Sequence, residues 1–219
     1  QHRADIWLRQ FAEWVAADSM PALQTILLPR DHTAGGSAGA NTPRAMVADN
    51  DLALGRIVAA VSKSPFWKNT LIVVLEDDAQ DGPDHVDSHR SPMLLISAWS
   101  RPGVHHRFTN TTDAIRTIED VLGLGHLSQF DDFGRPITEV WRDTPDLTPY
   151  AAEPAQIDLA ERNPAHTRAA RDSRRLDLSG ADRADEELFD QILWRMAKGN
   201  AVPYPGPTRM SALEVRRAQ

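Results

Sequence analysis

Apolar residues recur at Ile6, Trp7, Phe11, Trp14 and Val15. Steps of three and four place them on one face, so the spacing predicts an amphipathic helix over residues 3–17. Asp18, Ser19 and Pro21 end it. Leu23–Leu28, "LQTILL", reads as a strand stopped by Pro29. A second helix is expected from Pro43 to about Ser64, with Thr42 as N-cap and Pro43 as its first residue. Its apolar set is Met46, Val47, Ala53, Leu54, Ile57, Val58 and Val61. Leu71–Leu75 and Met93–Ile96 are unbroken apolar runs, the pattern of strands buried on both faces. Helical spacing returns after Thr111 or Thr112 as cap, with Ile115, Ile118, Val121 and Leu122 facing inward and Gly123 or Gly125 as stop. It returns again over Asp185–Lys198, through Leu188, Ile192, Leu193 and Met196, and ends at Gly199.

Read in order, Leu23–Gly125 is β-loop-α-β-loop-β-α. That order predicts an α/β class: a partial doubly wound sheet with helices on both faces. Three strands are few for a complete sheet of this kind. After Gln129 the pattern weakens, with Pro136, Pro145 and Pro149 interrupting it. Residues 151–183 are polar and mixed in charge, and are expected to run over the surface or to be partly disordered. "VPYPGP" then predicts a stiff extended segment. The expected organisation is an α/β portion over residues 1–150, followed by an irregular tail over 151–219. The tail's one amphipathic helix, about 185–198, packs on the same domain.

Composition narrows the function. The chain has 219 residues, a net charge of −7 and no cysteine. The negative charge argues against nucleic acid as a main partner. Thiolate metal sites, disulfides and cysteine nucleophiles are excluded. No apolar run approaches the roughly 18 residues of a membrane span. The opening "QHRADIWLRQ" has neither an initiator Met nor the apolar core of a signal peptide, so a processed or truncated piece is expected.

The candidate chemistry lies between the two apolar runs. That loop carries Glu76, Asp77, Asp78, Asp81, Asp84, Asp87, His85 and His89. Carboxylates packed this closely repel one another, and a divalent metal is the usual counter-charge. The plain alternative is a solvated acidic turn. Asp31 and His32 likewise follow the end of an expected strand, ahead of a glycine-rich loop. The candidate ligands are therefore Asp31, His32, Asp77, Asp78, His85 and His89. Mixed carboxylate and imidazole ligands suit zinc, manganese or iron; an oxygen-only subset suits magnesium or calcium. Arg90 either holds a phosphate oxygen or pairs with the surrounding Asp residues. "GGSAGANTP" lacks the Gly-Lys-Ser/Thr ending of a P-loop. Asp49, Asn50 and Asp51 are unusual inside a helix; they form a polar face, or Asp49 or Asp51 buttresses a site. Asp131 and Asp132 either bind something or, as most acidic loop pairs do, stay solvated. Three classes fit these residues: metal-assisted phosphoester hydrolysis, an Asp that accepts phosphate, and a module whose acidic loop only holds calcium.

Several segments together resemble a known family. They are "LPRDHTAG", "AMVADNDLALGRIVAAVSKSPFWKNTLIVVLEDDAQDGPDHVDSHRSP", "RTIEDVLGL", "FDDFGRPITEVW", "PDLTPY" and "DEELFDQILWRMAKG". The sequence resembles the phosphoesterase family of the alkaline phosphatase superfamily, which includes bacterial phospholipases C and acid phosphatases. It is similar to the carboxyl-terminal half of that domain in bacterial proteins that join it to an upstream β-propeller. The resemblance implies an alkaline-phosphatase-like sheet and hydrolysis of phosphate esters with a divalent metal. It implies Asp31 as the first metal ligand and Asp77 with Asp78 as a pair, Asp78 standing where many relatives have His. His85 is implied as the last ligand, with His89 as its competitor; His89 and Arg90 would orient the phosphate. Where many relatives have a His four residues after the first Asp, this chain has Gly35, and His32 is the available substitute. The family's nucleophile, a Ser or Thr at a helix start, belongs to the amino-terminal half, which finds no counterpart in this sequence. The resemblance also implies an extracytoplasmic parent. A non-catalytic metal-binding or interaction module remains the alternative.

Overall fold

A computed structural model describes residues 2–76, 91–180 and 183–206. Among them are six α-helices and two strands. The helices are α1 (His2–Ala16), α2 (Pro43–Ser62), α3 (Thr111–Leu122), α4 (Gln129–Asp132), α5 (Arg168–Ser173) and α6 (Glu186–Lys198); the strands are β1 (Leu71–Leu75) and β2 (Met93–Ser97). Single 3-10 turns occur at Pro29–His32 and Trp67–Asn69. The fold is mixed α/β, as expected. Its strands run antiparallel, Leu71 opposite Ser97 and Leu75 opposite Met93. Two antiparallel strands do not show the doubly wound arrangement, whose sheet is mainly parallel. No helix among the described residues is long and apolar enough to cross a membrane.

The chain forms two compact units. The first holds residues 2–27, 53–76 and 92–153. In it, α1 stacks Trp7 on Phe11 at 4.8 Å, and Phe11 meets Phe66 edge-on at 6.3 Å. Trp67 is buried; its ring meets Tyr150 edge-on at 5.9 Å and its Nε1 donates to the Asp146 carbonyl. The expected strand at Leu23–Leu28 is not formed. The segment joins no ladder among the described residues, and Leu23 and Leu27 are more than half exposed. A strand is stabilised by its neighbour more than by its own propensity. Here side chains take the neighbour's place: Arg3 donates to the Leu27 carbonyl, and the Trp7 indole to Gln24 Oε1.

The inward face of α3 also differs from expectation. Asn110, not Thr111 or Thr112, is its N-cap, accepting from the Asp113 amide at 3.0 Å. Gly123 ends it in the left-handed region, at φ 66°. Asp113, Ala114, Thr117 and Glu119 are buried, whereas Val121 is 60% exposed. The neighbour explains this. The irregular segment at 135–137 has no ladder to take its amides, so Asp113 accepts from Arg135 N at 2.7 Å and Thr117 from Ile137 N at 2.9 Å. A buried amide without an acceptor is costly, so the polar side of α3 turns inward.

The second unit holds residues 28–52 and the described residues from 154 onward. The stretch expected to be extended or disordered contains α5, with Asn163, Ala170 and Ser173 buried. Asp185 caps α6, accepting from the Leu188 amide, and Phe189 and Ile192 are its buried residues. Thr42 caps α2 as expected, accepting from the Ala45 amide at 3.3 Å. Its hydroxyl donates to Glu161 Oε2 at 2.7 Å, and Arg44 Nε donates to the same oxygen at 2.6 Å. Arg44 first, then Thr42, holds the Glu161 carboxyl at about 2, below its ordinary 4.5. A carboxylate lowered in the fold stabilises it above the unfolded value and loses that contribution as pH falls through the folded one. Glu161→Gln should therefore flatten the loss of stability between about pH 4.5 and 2, read by thermal melts across that range. An unchanged acid limb would show that this contact does not report on folding.

Candidate metal centre

The Pro29–His32 turn carries the part of the expected site that lies within the described residues. Pro29 fixes the entry, and Thr33 N closes the turn onto the Arg30 carbonyl at 3.2 Å. Thr33 sits at φ 62°, a conformation that a β-branched residue rarely holds unless its surroundings impose it. The residues before it are held largely by α2. Asn50 Nδ2 donates to the Leu28 carbonyl at 2.6 Å, and Asn50 Oδ1 accepts from the Arg30 amide at 3.4 Å. Asp49 pairs with Arg30 Nε at 3.2 Å, and Arg30 also donates to Asn41 Oδ1 at 3.3 Å.

Asp31 and His32 are both exposed on this turn. Asp31 Oδ1 accepts from the His32 amide at 3.1 Å, and the His32 ring meets Phe189 edge-on at 6.0 Å. A carboxylate and an imidazole, both open to solvent, are two of the donor types that divalent metals take. Asp77, Asp78, His85, His89 and Arg90 lie outside the described residues. Next to them in sequence, Glu76 N donates to the Pro92 carbonyl at 3.3 Å.

The glycine-rich loop does not cradle a ligand at Gly36. Its amide donates to Ser173 Oγ at 2.8 Å, and a Cβ at this position would clash with the Ala169 backbone. Asn163 Nδ2 bridges the carbonyls of Gly35, Ser37 and Asn41. The close backbone approach that glycine permits is used for packing on α5.

A second group, in the first unit, has no counterpart among the ligands expected from the sequence. Ligand atoms of Glu119, His126 and Asp131 lie within 4.8 Å of one another. Glu119 and Asp131 are almost fully buried, and both accept from the Leu127 amide, at 3.3 and 2.7 Å. The Ser128 hydroxyl donates to Asp131 and holds its carboxyl well below the usual range. His126 lies 3.2 Å from Asp132 and 3.5 Å from Glu119, and the Arg116 guanidinium contacts its ring. A cation there would meet that guanidinium. The group acts as a clasp on the α3–α4 connection, so Asp131 is not the solvated residue its loop context suggests. An acid in the last turn of a helix, followed seven residues on by His and twelve on by Asp, is the only sequence signal it offers.

An open hollow of about 470 Å³ is lined by Thr70, Leu71, Ser97, Trp99, Val121 and Trp141, among others. It accounts for the exposure of Val121. It lies at the Leu71–Ser97 end of the hairpin, away from Glu76.

No curated protein and no solved structure gives a significant match to the chain. The model of the Phosphoesterase family matches residues 1–125, a span holding Asp31, His32, both strands and α3. That match covers more than half of the 219 residues, and the chain belongs to the Phosphoesterase family.

Proposed function

We propose that this chain is the metal-holding portion of an enzyme that hydrolyses phosphate esters. The family match carries the reading: its span holds Asp31, His32 and the Glu76–Pro92 connection in one stretch. Asp31, His32, Asp77, Asp78 and His85 would hold the metal, and His89 and Arg90 would orient the phosphate. A divalent metal bound there would supply charge neutralisation at the phosphate. Arg90 offers a planar pair of donors to two phosphate oxygens. In the reaction a hydroxyl oxygen forms a bond to phosphorus while the bond from phosphorus to the ester oxygen breaks. Four hydroxyls at helix starts within the described residues are engaged in hydrogen bonds: Thr42 with Glu161, Thr112 with Asn110, Ser128 with Asp131, and Thr167 with the Ala170 amide. This supports a nucleophile supplied by another segment of the domain.

A non-catalytic metal-binding or interaction module is the second reading. Leu124, Leu127, Phe130 and Phe133, all more than half exposed around α4, favour it. Metal content of the purified chain, with Asp77→Ala and Asp78→Ala as controls, tests the site. Bound metal that both substitutions remove is expected; no metal, with no effect of either, overturns the site. Turnover of p-nitrophenyl phosphate tests the division of labour. Little or none is expected from this chain, and robust hydrolysis would overturn the external nucleophile.

A further inference from the structure

We infer that Asn50 is a positioning residue for the metal ligand Asp31, with the Arg30–Asp49 ion pair as its support. The inference rests on the reading of Asp31 as a ligand. An Asn in the middle of a helix is unfavourable, because its amide competes with the backbone. In α2 that amide is used otherwise. It donates to the Leu28 carbonyl and accepts from the Arg30 amide, the two backbone groups on either side of Pro29. This is the pairing a neighbouring strand would give. It holds the end of a segment that has no strand partner among the described residues.

The next residue along is Asp31. Its carboxylate is exposed, and its one hydrogen bond within the described residues is to the adjacent His32 amide. The direction of that carboxylate is therefore set by the backbone of the turn. The turn is held from three places: Asn50 at the Leu28 and Arg30 backbone, and Asp49 and Asn41 at the Arg30 guanidinium. The turn closes at its exit, where Thr33 N donates to the Arg30 carbonyl and Thr33 sits at positive φ. Asn50 touches no reacting atom. Its role is to keep Asp31 aimed, as outer partners do for metal ligands.

Zinc titration of the full chain by calorimetry tests this, with melting temperature without metal as the parallel readout. Asn50→Ala should weaken zinc binding by about tenfold or more. Asp49→Asn, a milder change, should weaken it by a smaller factor and serves where Asn50→Ala does not fold. Ile192→Val is the control for general destabilisation: it should lower the melting temperature and leave zinc affinity unchanged. Asp31→Asn should abolish the titration. If Asp31→Asn abolishes binding while Asn50→Ala and Asp49→Asn bind as the parent chain does, the positioning role is overturned and the ligand reading stands. The positioning role is likewise overturned if Ile192→Val weakens zinc binding as much as Asn50→Ala does. If Asp31→Asn binds zinc normally, or the parent chain does not bind it, the ligand reading fails and the inference falls with it.

Discussion

Phe189→Ala should destabilise the second unit by about 3–5 kcal/mol, a large share of the about 5–15 kcal/mol typical of a folded domain. Phe189 and Ile192 are both fully buried, one turn apart on α6. The packing around the ring is tight: a Cβ built on Gly35 would lie 3.1 Å from Phe189 Cε2. Removing the ring leaves a cavity that this neighbourhood cannot readily fill, because the glycine has no side chain to move in. His32 also loses its edge-on contact. Urea midpoints at constant slope measure the effect. Leu193→Ala is the comparison, since Leu193 belongs to the apolar stripe of the helix but is only half-buried. Equal losses for the two variants would mean that the buried face of α6 is not centred on Phe189.

Gly36→Ala should cost about 1–3 kcal/mol or more, although it adds a single carbon. A Cβ there would lie 2.6 Å from the Ala169 carbonyl carbon and Cβ, and 2.8 Å from its oxygen. Backbone cannot rotate away as a side chain can. The loop and α5 must separate, and the Gly36 amide then loses Ser173 Oγ. Gly39→Ala is a useful contrast. Its Cβ would meet nothing within 4 Å, so any loss there reflects only the positive φ of 78°. A Gly36→Ala variant as stable as the parent would show that the loop does not pack on α5 in this way.

Much of the local structure is legible from short-range chemistry. The Thr42-Pro43 start of α2 and the Gly123 and Gly199 stops each depend on residues within a few positions. The association of Asp31 with His32 is equally local, since one turn carries both. The strand expected at Leu23–Leu28 failed for the opposite reason. Its pattern was right for a strand, but a strand exists only with a neighbour, and Arg3, Trp7 and Asn50 occupy its polar groups instead.

The sequence by itself determined the family, the α/β class, most helix ends and the clustering of acidic and imidazole side chains after Leu75. It could not decide which side of α3 is buried, because that depends on the amides of Arg135 and Ile137, which need Asp113 and Thr117 as acceptors. Nor could it show that Glu119, His126 and Asp131 close into a clasp, or that Gly36 meets the distant Ala169. Only the tertiary structure decided how the Asp31 turn is held. Asn50 looks like a polar interruption of a helix until the chain brings it back to the carbonyl of Leu28. Periodicity and capping act over a few residues, whereas the partner of a buried donor or acceptor is chosen by the whole fold.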